Sequence, residues 1–299
     1  MSEVYNSLGY QDEKYVVAAN KIIRGKQAMS LQTARLIRLL ITQIAKHDNE
    51  LGIYKCKITD LARYLGISRD NIYRDIDSIT TEALESVVII STGESDQAWE
   101  KFHWVSTAKY DGEGTVTLQL SNEIKEFVVE LDKLFTRYQY RNVLYIKSYY
   151  ALRLYELIIC EDGEKNSVKD TQYRLGKRSV TFKVEKLREW LGCEDKLIQF
   201  GHFKTKAIEN PIKEINEKTD IYVEPIYHKW GRKVTSIEFV IKPNYANDEL
   251  PYANDYYEKR REKEQSEDKE EWYDENVKVF EKLTAEEVEE FRKKRYGLE

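Results

Sequence analysis

Apolar residues recur at helical spacing from Leu31 to Lys46, where Leu36, Leu39, Leu40, Gln43 and Ile44 fall on one face of a 3.6-residue period. Ser30 stands where a hydroxyl can cap the first turn. A second helical stretch, Ile58 to Leu84, is interrupted at Gly66. There Ala62, Gly66 and Ile72 supply a small residue for close packing, a glycine for the turn and an apolar anchor for the next helix, the layout of a helix-turn-helix. Ser68 is placed to cap that next helix, whose buried stripe is predicted to be Ile72, Ile76, Ile79 and Ala83. The period then shortens to two. Val87 to Ile90, Lys101 to Lys109 and Thr115 to Leu120 read as strands, the last two joined by the hairpin turn Asp111-Gly112-Glu113-Gly114. A winged helix is complete by Leu120.

The plan recurs downstream. Ser148 opens a helix through Tyr150, Leu154, Leu157 and Ile158; Val184 to Leu191 makes a second, ending at Gly192; Phe203, Ala207, Ile208, Ile212 and Ile215 mark a third. Pro211 lies inside the third, and its missing backbone donor predicts a kink or a break into two shorter pieces. Strands Ile221 to Tyr227 and Thr235 to Ile241 flank the basic tip Lys229-Trp230-Gly231-Arg232-Lys233. The expected fold is α+β and helix-rich: two tandem winged-helix domains, 15–140 and 141–243, after an N-terminal arm, 1–14, and before an acidic, charged C-terminal tail, 244–299. Within the tail Glu258 to Glu271 is nearly all charged and predicts a solvated or mobile helix, while Val277, Phe280, Leu283, Val288 and Phe291 give a weakly amphipathic last segment.

At 299 residues and 41% hydrophobic content, the chain can fill two cores of roughly 100 to 150 residues each. Charged residues make up 34%, yet the net charge is -5, which excludes a simple polycation. Distribution matters more than the sum. From Lys165 to Pro243 there are 17 Lys and Arg against 11 Asp and Glu, whereas from Asn244 to Glu299 the balance is 11 against 18, so a basic block stands between two acidic ones. A helix can read base edges while a hairpin tip holds phosphate. The second-domain candidates for DNA contact are therefore Lys204, Thr205, Lys206 and Lys213 on the third helix, with Lys229, Arg232 and Lys233 at the tip. A lysine pair at a helix start is by itself ordinary solvated surface; the adjoining hairpin and the basic block turn the reading toward DNA. In the first domain the candidates are Ser68, Arg69, Asn71 and Arg74. Asp70, Asp75 and Asp77 leave the start of that helix at net -1, so base contact and a scaffold or dimer-surface role both stay open.

Other chemistries lack their residues. Met1 to Glu13 has no cationic stretch leading into an apolar run, and nowhere do eighteen apolar residues stand together, so a cytoplasmic protein with no membrane partner is expected. Cys56, Cys160 and Cys193 are widely spaced and read as small buried hydrophobes. The 22 tyrosines invite a DNA-nicking reading, but His47, His103, His202 and His228 include no His-x-His to hold a metal on a scissile phosphate. No Gly-x-x-x-x-Gly-Lys-Ser/Thr loop is present for a nucleotide-driven motor. No catalytic residue, metal site or cofactor is expected, and the chain reads as a binder that is not an enzyme.

Several strings, in this order, resemble the iteron-binding plasmid replication initiators, a family of tandem winged helices. They are Val17-Ala18-Ala19-Asn20-Lys21-Ile22-Ile23, the junction Lys147-Ser148-Tyr149-Tyr150-Ala151-Leu152-Arg153-Leu154-Tyr155-Glu156-Leu157, Phe203-Lys204-Thr205-Lys206 followed by Glu214-Ile215-Asn216, and Gly231-Arg232. The resemblance covers about Tyr15 to Lys242. It implies a protein that binds double-stranded DNA at direct repeats of an origin as a monomer, helps melt adjacent AT-rich DNA and recruits a host replicative helicase or its loader. It also implies a dimer, formed through the first winged helix, that binds an operator inverted repeat and represses its own gene. The family places a basic run just after the aromatic corresponding to Phe203. Here that run is Lys204-Thr205-Lys206, with lysines where arginine would offer a planar fork and Thr205 suited to a thymine methyl or a phosphate. Arg232 and Lys233 match the family's wing, which implies a grip on backbone.

A dedicated winged-helix transcriptional repressor that never starts replication is the alternative reading of the same two modules. Several direct repeats beside an AT-rich tract near the gene favour the initiator; one inverted repeat over a promoter favours the repressor. The acidic tail is a candidate docking site for helicase or loader.

Overall fold

The computed structural model describes residues 15–45, 48–92, 98–129, 131, 134–166, 178–244 and 280–296. Tyr15–Ala19 (β1) alternates half-buried and buried side chains and leads into a short helix, Asn20–Arg24 (α1). Leu31–Ile41 (α2) follows, and the Ser30 hydroxyl caps it by accepting from the Thr33 N–H at 3.2 Å. The helix stops well before Lys46. The Thr42 hydroxyl and the Gln43 amide donate to the Leu39 carbonyl at 2.7 and 3.1 Å and take up an acceptor that the helix leaves unpaired. Nor does α2 show one apolar face: Arg35 and Arg38 are buried together with Leu36, Ile37, Leu39 and Leu40.

After Ile53–Lys57 (β2) come the two helices of the first helix-turn-helix, Ile58–Leu65 (α3) and Arg69–Glu85 (α4). Gly66 between them has φ +69°, and a Cβ there would meet Arg35 Nη1 at 2.7 Å, so both conformation and space require glycine. Arg35 braces the turn from beneath, donating through Nη1 to the Leu65 carbonyl at 2.8 Å and through Nη2 to the Ile146 carbonyl. Ile72, Ile76, Ile79 and Ala83 form the buried stripe of α4 as the period predicts. Ser68 occupies the cap position but its hydroxyl makes no capping bond; its carbonyl accepts from the Ile72 N–H at 3.0 Å.

The strand expected over Lys101 to Lys109 is two strands. Val87–Ser91 (β3) pairs with Trp99–His103 (β4), while Val105–Tyr110 (β5) pairs with Thr115–Leu120 (β6), and buried Trp104 marks the corner between β4 and β5. β2 adds to the other side of β6. The Asp111 carboxylate closes the β5–β6 turn by accepting from the Glu113 and Thr115 N–H groups at 2.7 and 2.9 Å. Phe135–Gln139 (β7) then runs back to pair with β1, before Arg141–Leu144 (α5).

The second module consists of Tyr149–Asn166 (α6), Arg178–Lys183 (β8), Val184–Trp190 (α7), a helical run over 200–218 (α8), Ile221–Trp230 (β9) and Lys233–Pro243 (β10), with sheet order β8-β10-β9. Pro211 does not break α8. A π-helical stretch, Lys204–Glu209, precedes it, in which the Asn210 N–H reaches five residues back to the Thr205 carbonyl. The proline thereby falls in the first turn of the final segment, Asn210–Lys218, where no backbone donor is needed.

Residues 280–296 return to the first domain. Phe280 is buried, 6.3 Å from the Tyr54 ring centroid; Glu281–Lys282 (β11) pairs with β2; and Ala285–Tyr296 (α9) is tied down by Glu287 to Lys55 at 2.8 Å. A strand edge and one aromatic anchor, more than an amphipathic stripe, hold this segment. The N-terminal arm and the charged run Glu258 to Glu271 lie outside the described residues. Among the described residues, no helix is long and apolar enough to cross a membrane.

Candidate nucleic-acid interface

Phe203, Ala207, Ile208, Ile212 and Ile215 bury one side of α8, and that packing decides what the opposite side presents. The loop before the helix is fixed by Arg188. Its guanidinium donates to the Lys196 and Leu197 carbonyls at 3.2 and 3.1 Å and lies 4.1 Å from the Phe203 ring centroid. Held this way, α8 exposes His202, Thr205, Lys206 and Lys213 on its solvent side. Thr205, Lys206 and Lys213 all lie outside the packed side formed by Phe203, Ala207, Ile208, Ile212 and Ile215. Lys204 is placed differently. Its ammonium sits 3.1 Å from the Glu209 carboxylate and 4.9 Å from the Tyr227 ring centroid, at the seam between helix and hairpin.

The hairpin rises beside the start of α8, where Phe200 meets Tyr227 edge-on at 6.3 Å. β9 and β10 both run past their expected limits, and a two-residue loop, Gly231-Arg232, joins Trp230 to its partner Lys233. Gly231 has φ +60°, the conformation that a tight hairpin with glycine at its first loop position uses. The core-facing alternation of β9 fades along its length, and His228, Lys229 and Trp230 are all exposed, so the tip stands clear of the domain. Lys229, Arg232 and Lys233 are exposed there together, with Lys233 3.0 Å from Glu185 of α7. Both members of that pair are well exposed, and such a pair yields readily to a phosphate.

In the first domain Ser68, Arg69, Asn71 and Arg74 are exposed along the start of α4. Arg74 is engaged by its own neighbour, its Nε 2.7 Å from Asp75. Exposed Tyr73 belongs to the same face and brings its hydroxyl close to the β5–β6 turn at Gly114.

Residues 15–159 match the family described as Initiator Replication protein, WH1, and residues 183–241 match Initiator Rep protein, WH2. The chain belongs to this initiator replication family. A replication initiation protein of Escherichia coli is 23% identical over 181 residues, or 60% of this chain and 53% of that protein, so the chain spans about half the length of the curated relative it matches. The crystal structure of Pi initiator protein in complex with iteron DNA superposes with a TM-score of 0.60 at 19% identity, over 77% of this chain and 98% of that one, which shows a common fold.

The two modules offer unlike surfaces. The second carries exposed Lys206 and Lys213 on its helix and a cationic tip, whereas α4 of the first interleaves Arg69 and Arg74 with Asp70, Asp75 and Asp77. Cys56, Cys160 and Cys193 are buried, and burial raises all three thiols, Cys160 and Cys193 to about 11. Two residues absent from the sequence-based candidates stand on the exposed faces, Tyr73 and Trp230. Tyr73 is flanked in sequence by the buried stripe, which masks it. Trp230 carried a signal in its place beside Gly231 within a run of cations.

Proposed function

We propose that this protein is a sequence-specific, double-stranded-DNA-binding plasmid replication initiator that recognises direct repeats at its origin through the second winged helix. The observation that carries the reading is the joint presentation of Thr205, Lys206 and Lys213 on the open face of α8 with Lys229, Arg232 and Lys233 on the adjoining hairpin tip. The helix face enters the major groove and the cationic tip grips the neighbouring phosphates. Family membership and a fold shared with a protein solved on iteron DNA support this assignment. Binding energy, with no covalent step, is spent on deforming the origin so that adjacent AT-rich DNA opens. A dimer formed through the first domain represses the gene from an inverted repeat, and the host helicase or its loader is recruited to the bound origin.

Two experiments test the reading. Footprinting across the DNA that flanks the gene should reveal protected direct repeats, lost in the double variant Lys206→Ala with Lys213→Ala. A marker fragment without an origin, given the gene and its flanking DNA, should be maintained autonomously; protection of one inverted repeat without maintenance would identify a repressor instead.

A further inference from the structure

Trp230 is 83% exposed, an unusual position for the largest apolar side chain. It forms the terminal pair of the hairpin with Lys233, so the two side chains share a face. The next pair, Lys229 with Val234, points to the opposite side, where Val234 is buried. The indole therefore projects from the solvent face of a tip that also carries Lys229, Arg232 and Lys233. That charge keeps the tip in water and makes a polyanion the partner it fits, against an apolar protein surface.

Distance supplies the second observation. Tyr227 touches the recognition helix through Phe200 and Lys204, and Trp230 lies three strand residues beyond it. That is roughly 10 Å of extended chain. With the α8 face in the major groove, this reach carries the tip across the phosphate ridge to a minor groove about 6 Å wide, too narrow for a helix but wide enough for a ring seen edge-on.

Resting on the DNA-binding reading above, we propose that Trp230 is an aromatic wedge. Its indole enters the minor groove beside the repeat and partly unstacks one base step, while Lys229, Arg232 and Lys233 hold the bordering phosphates. The wedge supplies deformation as well as affinity, and so places part of the origin-bending work on a residue that reads no base edge.

The test uses the full chain and a duplex carrying the DNA that flanks the gene, with circularly permuted copies of that duplex reporting the bend. Trp230→Ala, Trp230→Phe and Lys206→Ala are compared with wild type. Because the ring is exposed, both Trp230 variants should keep the wild-type Tm. Trp230→Ala should bind roughly tenfold more weakly, with a smaller bend, and Trp230→Phe should retain most of both. The dependence of affinity on salt should be unchanged in Trp230→Ala, since no charge is removed. Wild-type affinity and bend in Trp230→Ala overturn the wedge, including the case in which that variant loses only self-association or a protein contact. Weakened binding by Lys206→Ala would then leave the DNA reading standing, whereas a wild-type chain that fails to shift the duplex brings down both.

Discussion

Nε of Arg38 lies 2.9 Å from Oε1 of Glu156, an ion pair almost wholly shielded from solvent that joins α2 of the first module to α6, 118 residues later in the chain. Glu156 also accepts from Arg38 Nη2 at 3.0 Å, from Arg153 Nη1 at 2.6 Å and from the Tyr138 hydroxyl at 2.5 Å. Arg153 in turn donates to the carbonyls of Ile23 and Trp190, one from each module. The joint between the modules is thus polar at its centre, and every member of the network depends on one carboxylate.

Glu156→Gln should therefore destabilise the protein by about 3–5 kcal/mol, because it leaves two guanidinium groups buried without a counter-charge. Tyr138→Phe removes a single bond to that carboxylate and should cost about 1.5–3 kcal/mol. Denaturant titration of both variants measures the difference. A loss under about 1 kcal/mol for Glu156→Gln would mean that water reaches the joint.

The same residue predicts a pH dependence. Burial by itself raises the Glu156 carboxyl, but Arg38 and Arg153 outweigh it and pull it down to about 2. In the unfolded chain it returns to about 4.3. Between these values the unfolded state binds more protons, so the stabilisation is fully present above about pH 4.5 and is lost as pH falls towards 2. The stability gap between wild type and Glu156→Gln, followed by thermal melts over this range, should narrow as the solution is acidified. A gap that widens contradicts the depressed carboxyl.

Salt should weaken DNA binding steeply. Neutralising about six phosphates predicts a roughly 10³-fold loss of affinity between 50 and 200 mM salt. Arg232→Ala with Lys233→Ala should lower the slope of log affinity against log salt by about 1.8. Lys204→Ala should change it less than Lys206→Ala does, because the Lys204 ammonium is already engaged by Glu209 and the Tyr227 ring. Binding titrations at four or five salt concentrations decide this, and equal slopes for Lys204→Ala and Lys206→Ala count against the orientation of α8.

Phe280 anchors the returning C-terminal segment, and Phe280→Ala should cost about 3–5 kcal/mol if its site does not collapse. Hydrogen exchange should then speed up at the outer edge of β2, which β11 covers. Ending the chain before residue 280 should leave that edge open and promote association between copies. Unchanged exchange in β2 would show that the segment is not held there in solution.

The two-module plan was legible because local signals agreed. Ala62, Gly66 and Ile72 specified a turn whose positive φ favours glycine, and the Asp111 to Gly114 and Gly231-Arg232 turns fixed where strands must reverse. Elements with weaker local signals were missed. β8 sits at the edge of a sheet that only β10 completes, and β11 is two residues long, existing because β2 offers it an unpaired edge. Of the candidate surface, the exposed cations could be listed from sequence, but the engagement of Lys204 and Arg74 could not. Each depends on where a neighbouring carboxylate or ring arrives.

Sequence by itself determined the main helices of both modules, the two hairpins, their glycine-dependent turns and the segregation of positive charge into the second module, because these follow from periodicity, backbone freedom and composition. Tertiary structure decided the rest. It buried α2 on all sides and joined Arg38 to Glu156 across 118 positions. It placed Pro211 in the first turn after a π-helical stretch, and it left Trp230 in solvent while turning Lys204 toward the hairpin. Contacts between residues far apart in the chain set these outcomes, and no local pattern encodes such a contact until both partners have a position in space.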